Sequence, residues 1–187
     1  MVARSGSGWK LAASLCVLED QVNAKYPGRN KLSDGSIGDL AHSQRNSDHN
    51  VRNGYCHAID LTHDPQNGFS SEKFAQALLD AQDPRLAYVI SNRKIGSGPT
   101  GPQPGKWRTY KGSNAHDHHC HISVNELGET NIRPWDIGDH AVIPRPESPP
   151  AMDVKAEIRA FQAKRGLVAD GNVGPQTWAA IKKEAKL

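Results

Sequence analysis

The sequence lacks long apolar runs and has little cysteine. None of its apolar stretches approaches the roughly 18 residues that a membrane-spanning helix requires, so we expect no membrane insertion. Three cysteines among 187 residues do not make a paired disulfide framework, and we expect free thiols. An excess of one charge is also missing. The net charge of +3 falls short of the basic stripe of a dedicated nucleic-acid binder, which argues against a nucleic-acid partner.

The apolar residues that are present predict an α+β fold. Helical spacing marks one helix over residues 11–22 and another over residues 70–80, which Ser70 or Ser71 can cap. Apolar and β-branched runs predict three strands, at residues 58–61, 86–90 and 119–124. Stretches rich in Gly, Asn, Ser or Pro should form two loops, at residues 28–56 and 96–105. We therefore predict a small antiparallel sheet flanked by helices, with a short C-terminal helical module.

A group of prolines divides the chain. They lie close together at Pro144, Pro146, Pro149 and Pro150. Such a stretch makes a stiff linker between compact units. We predict a first domain over residues 1–142, a linker over residues 143–151 and a second module over residues 152–187.

Histidines are concentrated just before the last predicted strand. Four of the nine lie within six residues, at His116, His118, His119 and His121. Imidazole is the commonest protein ligand for zinc, and two upstream segments, around His49 and Asp60, offer further ligands. A His, an Asp and a His, with one coordination position left to water, are the outline of a catalytic zinc site.

The residues after the linker carry a signature of short motifs. These are Phe161-Gln162, Gly166-Leu167, Asp170-Gly171, Val173-Gly174-Pro175 and Thr177-Trp178. Asp-Gly favours a tight turn, and Pro175 can start a helix. Four apolar side chains should meet as a small core: Phe161, Leu167, Trp178 and Ile181. The tail resembles one half-motif of the peptidoglycan-binding domain of bacterial and phage wall hydrolases, which implies peptidoglycan as a partner.

Three further motifs share a second resemblance. Ser47-x-His49, Ala58-x-Asp60 and His119-x-His121 resemble the zinc D,D-carboxypeptidases and L-alanyl-D-glutamate endopeptidases of the LAS group. This group of murein peptidases includes many phage endolysins. The resemblance implies a Zn²⁺ ion held by His49, Asp60 and His121. His49 and Asp60 are further apart along this chain than is usual in the family, so the loop between them must bulge.

Residues next to the last ligand are candidates for catalysis. A histidine-based subgroup of murein endopeptidases has active-site histidines two and five residues before that ligand, which correspond here to His119 and His116. On a strand, residues two apart face the same way, so His119 should share the cleft of His121. Asp117 and His119 are therefore the candidates for proton relay. The alternate residues should point into the core: Cys120, Ile122 and Val124.

Other polar residues near the motifs have weaker assignments. Arg45 and Ser47, on the loop that enters the first ligand, can contact a substrate carboxylate or orient His49. Ordinary loop polarity explains Arg45 and Ser47 equally well. The remaining histidines are expected at the surface or as capping residues: His42, His57, His63 and His140.

Taken together, the motifs predict a monomeric zinc-dependent murein hydrolase of the endolysin type that cuts peptide stems or cross-links. The apolar run from Leu11 to Leu18 meets Glu19 and Asp20 without a cleavage pattern, so it is not a signal peptide. We expect synthesis in the cytoplasm and action on the wall after the membrane is opened. Two alternatives stay open: a non-enzymatic wall-binding protein with a degenerate metal site, and a His-metal nuclease.

Overall fold

The chain divides into two compact units, Met1–Ile143 and Pro144–Leu187. In the computed structural model the described residues are 2–38, 46–140 and 153–185. The mixture of an antiparallel sheet with helices confirms the predicted α+β class. No helix within these ranges has the length and apolar character needed to cross a membrane.

The described residues of the first unit form short strands and two α-helices. In chain order they are β1 (Ser5–Gly6), β2 (Trp9–Leu11), α1 (Ala13–Lys25), β3 (Tyr55–Cys56), β4 (Ala58–Thr62), α2 (Ser71–Ala81), β5 (Leu86–Ser91), β6 (Lys94–Ser97), β7 (Trp107–Thr109) and β8 (His119–Val124). The main sheet has the order β4-β8-β5-β6-β7, with every neighbouring pair antiparallel. Ser70 caps α2 by accepting a hydrogen bond from the backbone of Lys73, as the sequence predicts.

The two faces of the main sheet differ in polarity. Helices α1 and α2 bury one face, where apolar side chains form the core: Leu15, Leu18, Phe74, Leu78, Ile59, Leu61 and Val89. Cys120, Ile122 and Val124 of β8 belong to this core, as the alternation predicts, and all three cysteines are free. The alternate residues of β4 and β8 therefore face the opposite side, which is polar and carries the histidines.

A second, three-stranded sheet accommodates the long loop between His49 and Asp60. Strand β3 pairs in parallel with β2, which pairs in antiparallel with β1. Just before β3, Arg52 and Tyr55 form a bridge around Asn53 and Gly54, both of which have positive φ. Asn-Gly is the residue pair that suits such a two-residue turn. The segment between His49 and Asp60 thus contains a tight turn.

Two residues of the predicted loop at residues 96–105 lie in a strand, whereas residues 98–105 are irregular, as predicted. Gly96 and Ser97 lie in strand β6, and β7 follows the loop. A side chain at Gly96 would lie 2.6 Å from the Leu79 side chain of α2. Glycine there allows the helix to approach the sheet closely, so its presence marks packing and not flexibility.

Within residues 153–185, the second unit contains α3 (Val154–Lys164) and α4 (Pro175–Ala185). Its centre is polar: Gln162 is buried, donates to Asp170, Asn172 and Thr177, and accepts from the backbone of Gly171. The predicted apolar core is wrong in one respect, because Trp178 is 49% exposed. The motif residues of the tail therefore contribute to a hydrogen-bonded network around Gln162 more than to an apolar core.

A buried ion pair fixes the segment that precedes the first ligand. The guanidinium of Arg29 donates two hydrogen bonds to Asp34, at 2.8 and 2.6 Å, and neither side chain is exposed. Asp34 also accepts from the backbone and hydroxyl of Thr62 on β4. These bonds outweigh burial and hold the pKa of Asp34 below its usual value. The pair therefore clamps residues 29–36 against the sheet.

Replacement of Arg29 by methionine should destabilise the protein strongly. The substitution leaves the Asp34 carboxylate buried without its cation, a situation that costs about 3–5 kcal/mol. Urea unfolding at neutral pH measures the free energy of unfolding, with Arg133→Met as the control because Arg133 is exposed. An Arg29→Met protein within 1 kcal/mol of the unchanged one, on the scale of an exposed ion pair, would contradict this role.

Candidate metal centre

The register of the main sheet brings two of the predicted ligands together. Asp60 on β4 is directly opposite His121 on β8, and both face the polar side. Directly opposed residues on antiparallel strands have Cβ atoms roughly 5 Å apart. His49 arrives from the loop before β3, where its backbone carbonyl accepts from the backbone of Gly38. The side chains of His49, Asp60 and His121 therefore meet in a cluster that has the donor atoms to hold a metal ion.

The spacing of the three ligand atoms suits a small tetrahedral cation. His49 Nε2 lies 3.0 Å from His121 Nδ1 and 3.3 Å from Asp60 Oδ2, while His121 Nδ1 lies 3.1 Å from Asp60 Oδ1. Tetrahedral bonds of about 2.0–2.1 Å place neighbouring ligand atoms roughly 3.3 Å apart. The donor set and its spacing therefore fit zinc without a rearrangement of the backbone.

Hydrogen bonds on the outer side of each imidazole fix its protonation. His49 donates through Nδ1 to the backbone carbonyl of Ser36. His121 Nε2 lies 3.0 Å from Ser123 Oγ, whose hydroxyl donates to Asp48 Oδ2 at 2.9 Å, so the histidine is the donor of this pair. The inner nitrogens then both carry lone pairs that converge on the Asp60 carboxylate. Three converging acceptors repel one another unless a proton or a metal ion lies between them.

In the metal-free protein a proton lies between the His49 imidazole and the Asp60 carboxylate. Burial alone would lower the pKa of His49, but the carboxylate of Asp60 outweighs burial and raises the pKa to about 10. Burial opposes the charge of Asp60 in the same way, yet the neighbouring imidazoles of His121 and His49 hold the Asp60 pKa well below its usual range. The cluster therefore attracts a cation at neutral pH.

Two more histidines line the open side of the cluster. His119 lies on the same face as His121, with Nε2 3.8 Å from Asp60 Oδ2, and this buried nitrogen has no hydrogen-bond partner within the described ranges. The centroid of the His116 ring lies 5.0 Å from the centroid of the His119 ring and 5.7 Å from that of the His121 ring. It donates through Nδ1 to the carbonyl of Asn114, which leaves Nε2 as an acceptor.

Both of these histidines are neutral at pH 7. Burial, together with the neighbouring His121 and His119, lowers the pKa of His116 to about 4. Burial also lowers the pKa of His119, although Asp60 acts in the opposite direction. His116 has a left-handed backbone with φ of 51°, and its carbonyl accepts from the backbone of Asn92 in the β5–β6 turn. The turn thus fixes a strained residue at the rim of the site.

The other predicted residues are placed differently. Asp117 is exposed, and its carboxylate lies 3.6 Å from the exposed His118 ring, away from the ligand cluster. Ser47 lines the cleft, and its hydroxyl accepts from the backbone of His49 at 3.3 Å, which favours an orienting role. Arg45 lies outside the described residues. The prediction for His57 is wrong: its side chain is fully buried and pairs with Glu129 at 2.8 Å.

The cleft beside the cluster holds about 120 Å³ and has a polar lining. Residues that sequence reasoning missed contribute to it: Asn46, Tyr88, Ile90, Tyr110, Ser113 and Asn114. The Tyr88 ring stacks on His121 with centroids 5.4 Å apart, and burial raises the pKa of its hydroxyl. Tyr88 and Ser123 were accessible to prediction, since alternation on β5 and β8 places them on the same face as His121.

Zinc uptake should release protons and weaken as the pH falls. With a pKa of about 10, His49 carries a proton at neutral pH in the metal-free protein and must lose it to bind zinc. We expect the apparent zinc affinity to fall by up to about tenfold per pH unit between pH 8 and pH 6. Chelator competition measures the affinity, and calorimetry in buffers of different ionisation enthalpy counts the protons. A zinc affinity that does not change with pH would contradict the assignment of His49.

The comparison with protein families assigns the second unit. Residues 152–181 match the family described as a putative peptidoglycan binding domain. Comparisons with curated proteins and with solved structures gave no match. The match includes Gln162 and its hydrogen-bond partners, and the cluster of His49, Asp60 and His121 lies outside it. Residues 152–181 are thus similar to a putative peptidoglycan-binding domain, a kind of domain that associates with the cell wall.

Proposed function

We propose that this protein is a zinc-dependent peptidase that cuts peptide bonds in murein, as an endolysin does. The observation that carries the proposal is the cluster of His49, Asp60 and His121, whose ligand atoms are spaced for tetrahedral zinc. The peptidoglycan-binding tail supplies the substrate class, because it associates the chain with the wall. The resemblance of three motifs to the LAS murein peptidases supports the same assignment.

The ligand count supports a catalytic ion over a structural one. Structural zinc sites use four protein ligands, whereas catalytic sites use three and leave one position open. Within the described ranges the cluster has three members, and their open side faces the cleft between β5 and the segment at residues 113–116. A peptide carbonyl that enters the cleft would meet the side of the cluster where these three residues would hold the ion.

Each residue around the ligands has a task that follows from its contacts. Zinc, when bound, supplies Lewis-acid activation of water and polarisation of the peptide carbonyl. His119 is neutral, and its unpartnered Nε2 is buried beside Asp60, so it is placed to exchange a proton with the reacting groups. His116 presents Nε2 as an acceptor from the neighbouring position. Asp117, which is exposed, is the weaker candidate for the relay.

The cleft lining suits a peptide backbone. Asn46, Ser113 and Asn114 offer amide and hydroxyl groups, and Tyr110 offers an aromatic wall beside His116. Small polar side chains of this kind hydrogen-bond the N–H and C=O groups of an extended substrate. Cytoplasmic storage before the membrane opens stays a prediction from the sequence.

The proposal is tested by digestion of purified murein with the zinc-loaded protein. New amino and carboxyl termini, identified by mass spectrometry, are expected, and they name the bond that is cut. Removal of zinc by a chelator should stop their release, and added zinc should restore it. Release of peptides at an unchanged rate after complete zinc removal would contradict the proposal. Zinc binding without any cleavage would favour the non-enzymatic wall-binding alternative.

Removal of the tail should separate binding from cleavage. A chain that ends near Pro146 lacks the peptidoglycan-binding segment but keeps the ligand cluster. We expect this shortened chain to cleave soluble muropeptides at a rate close to that of the full chain and to act less well on intact walls, because a tethered binding module raises the local substrate concentration. Turbidity assays on walls and chromatography of muropeptides measure the two rates. Equal loss of both rates would contradict a separate targeting role.

A further inference from the structure

A line of hydrogen bonds leads from the third ligand to the loop that carries the first. His121 donates through Nε2 to Ser123 Oγ at 3.0 Å, and Ser123 donates to Asp48 Oδ2 at 2.9 Å. Asp48 is the residue before His49, and its backbone carbonyl accepts from the backbone of His57 at 3.0 Å. The line therefore connects two ligands that are 72 positions apart in the chain.

We propose that Ser123 and Asp48 are positioning residues that hold His121 in its metal-binding state and tie its strand to the His49 loop. The inference rests on the proposed zinc function. Ser123 is fully buried, and its hydroxyl is the hydrogen-bond partner of His121 Nε2. With the proton held at Nε2, the lone pair of Nδ1 always faces Asp60 and the metal.

The two residues contribute differently. Ser123 fixes the tautomer and the ring orientation, which the Tyr88 ring supports by stacking on the other side of His121. Asp48 adds a negative charge at the end of the line. A carboxylate that accepts from a ligand histidine raises the basicity of the ligand, and here the serine hydroxyl relays that effect. Loss of Ser123 removes both contributions, whereas loss of the charge of Asp48 removes one.

Zinc affinity of the full chain, measured by chelator competition, tests this arrangement. We expect Ser123→Ala to weaken zinc binding by roughly 10- to 100-fold, the usual effect of losing an outer partner of a ligand. Asp48→Asn keeps an acceptor for the serine hydroxyl but not the charge, so we expect a smaller loss. The matched control is Ser91→Ala on the adjacent strand β5. Ser91 has a buried hydroxyl that has no hydrogen-bond partner among the described residues, so this variant should leave zinc affinity unchanged.

Proton exchange at His121 gives a second readout that a general loss of stability does not mimic. In the zinc-bound protein the Nε2 proton of His121 should exchange slowly with water by NMR, and Ser123→Ala should make the exchange fast. Circular dichroism verifies folding, and Asp48→Asn, at a partly exposed site, serves if Ser123→Ala does not fold. Tight zinc binding that survives in every folded variant would overturn this inference alone. An unchanged protein that binds no zinc would overturn the proposed function as well.

Discussion

Replacement of His121 by alanine is expected to remove both the zinc and the murein-cleaving activity. The change deletes one of three ligands and leaves Asp60 and His49 without their shared neighbour. Two ligands cannot complete the three-residue set that catalytic zinc sites use. Elemental analysis of the purified protein should fall from about one zinc per chain to a trace, and muropeptide release should become undetectable.

His63→Ala is the matched control for the loss of a ligand. His63 follows β4, where its ring pairs with the hydroxyl of Ser71 at 2.9 Å outside the cluster. We expect this variant to keep its zinc and most of its activity. His49→Ala and Asp60→Ala should behave like His121→Ala. Full activity in the His121→Ala protein would remove the basis of the metal site.

The second large effect is expected at His119. His119→Ala should fold and keep its zinc, because the three ligands and their outer partners are untouched. Turnover should fall roughly 10²-fold or more, the usual contribution of a positioned acid or base. Zinc content and the kcat for a soluble muropeptide measure the two properties separately.

Asp117→Asn distinguishes the two candidates for the proton relay. Asp117 is exposed and pairs with His118, so its substitution should cost much less turnover than His119→Ala. A larger loss in Asp117→Asn than in His119→Ala would reverse their roles. If His119→Ala loses its zinc, His119 is a ligand and not a relay residue.

Much of the site could be predicted from local patterns. The period of two along β8 places His119 and His121 on one face and Cys120 and Ile122 on the other, because strand geometry alone decides it. The pairing of Asp60 with His121 depends on the register between β4 and β8, which no single strand reveals. The motif resemblance supplied that pairing, and the register explains it.

Other parts of the site were beyond sequence reasoning for physical reasons. The carbonyl of Ser36 orients His49, but a backbone group carries no side-chain signal. Strands β6 and β7 were missed because glycine at position 96, which lets α2 approach the sheet, looks like a loop residue in a sequence. His57 was expected at the surface, and its burial depends on Glu129, a partner 72 positions away.

The turn at Asn53 and Gly54 lets residues that are far apart along the chain lie close together in space. Arg52 and Tyr55 form an antiparallel bridge on either side of this turn. Residues inserted between Asn53 and Gly54 would therefore leave Arg52 and Tyr55 adjacent. The side chains of His49 and Asp60 thus lie 3.3 Å apart although this turn separates them along the chain. Searches that require a fixed interval between these two residues will overlook proteins in which the same side chains meet. A search for the three-dimensional arrangement, with the interval left free, is the way to find further proteins of this kind.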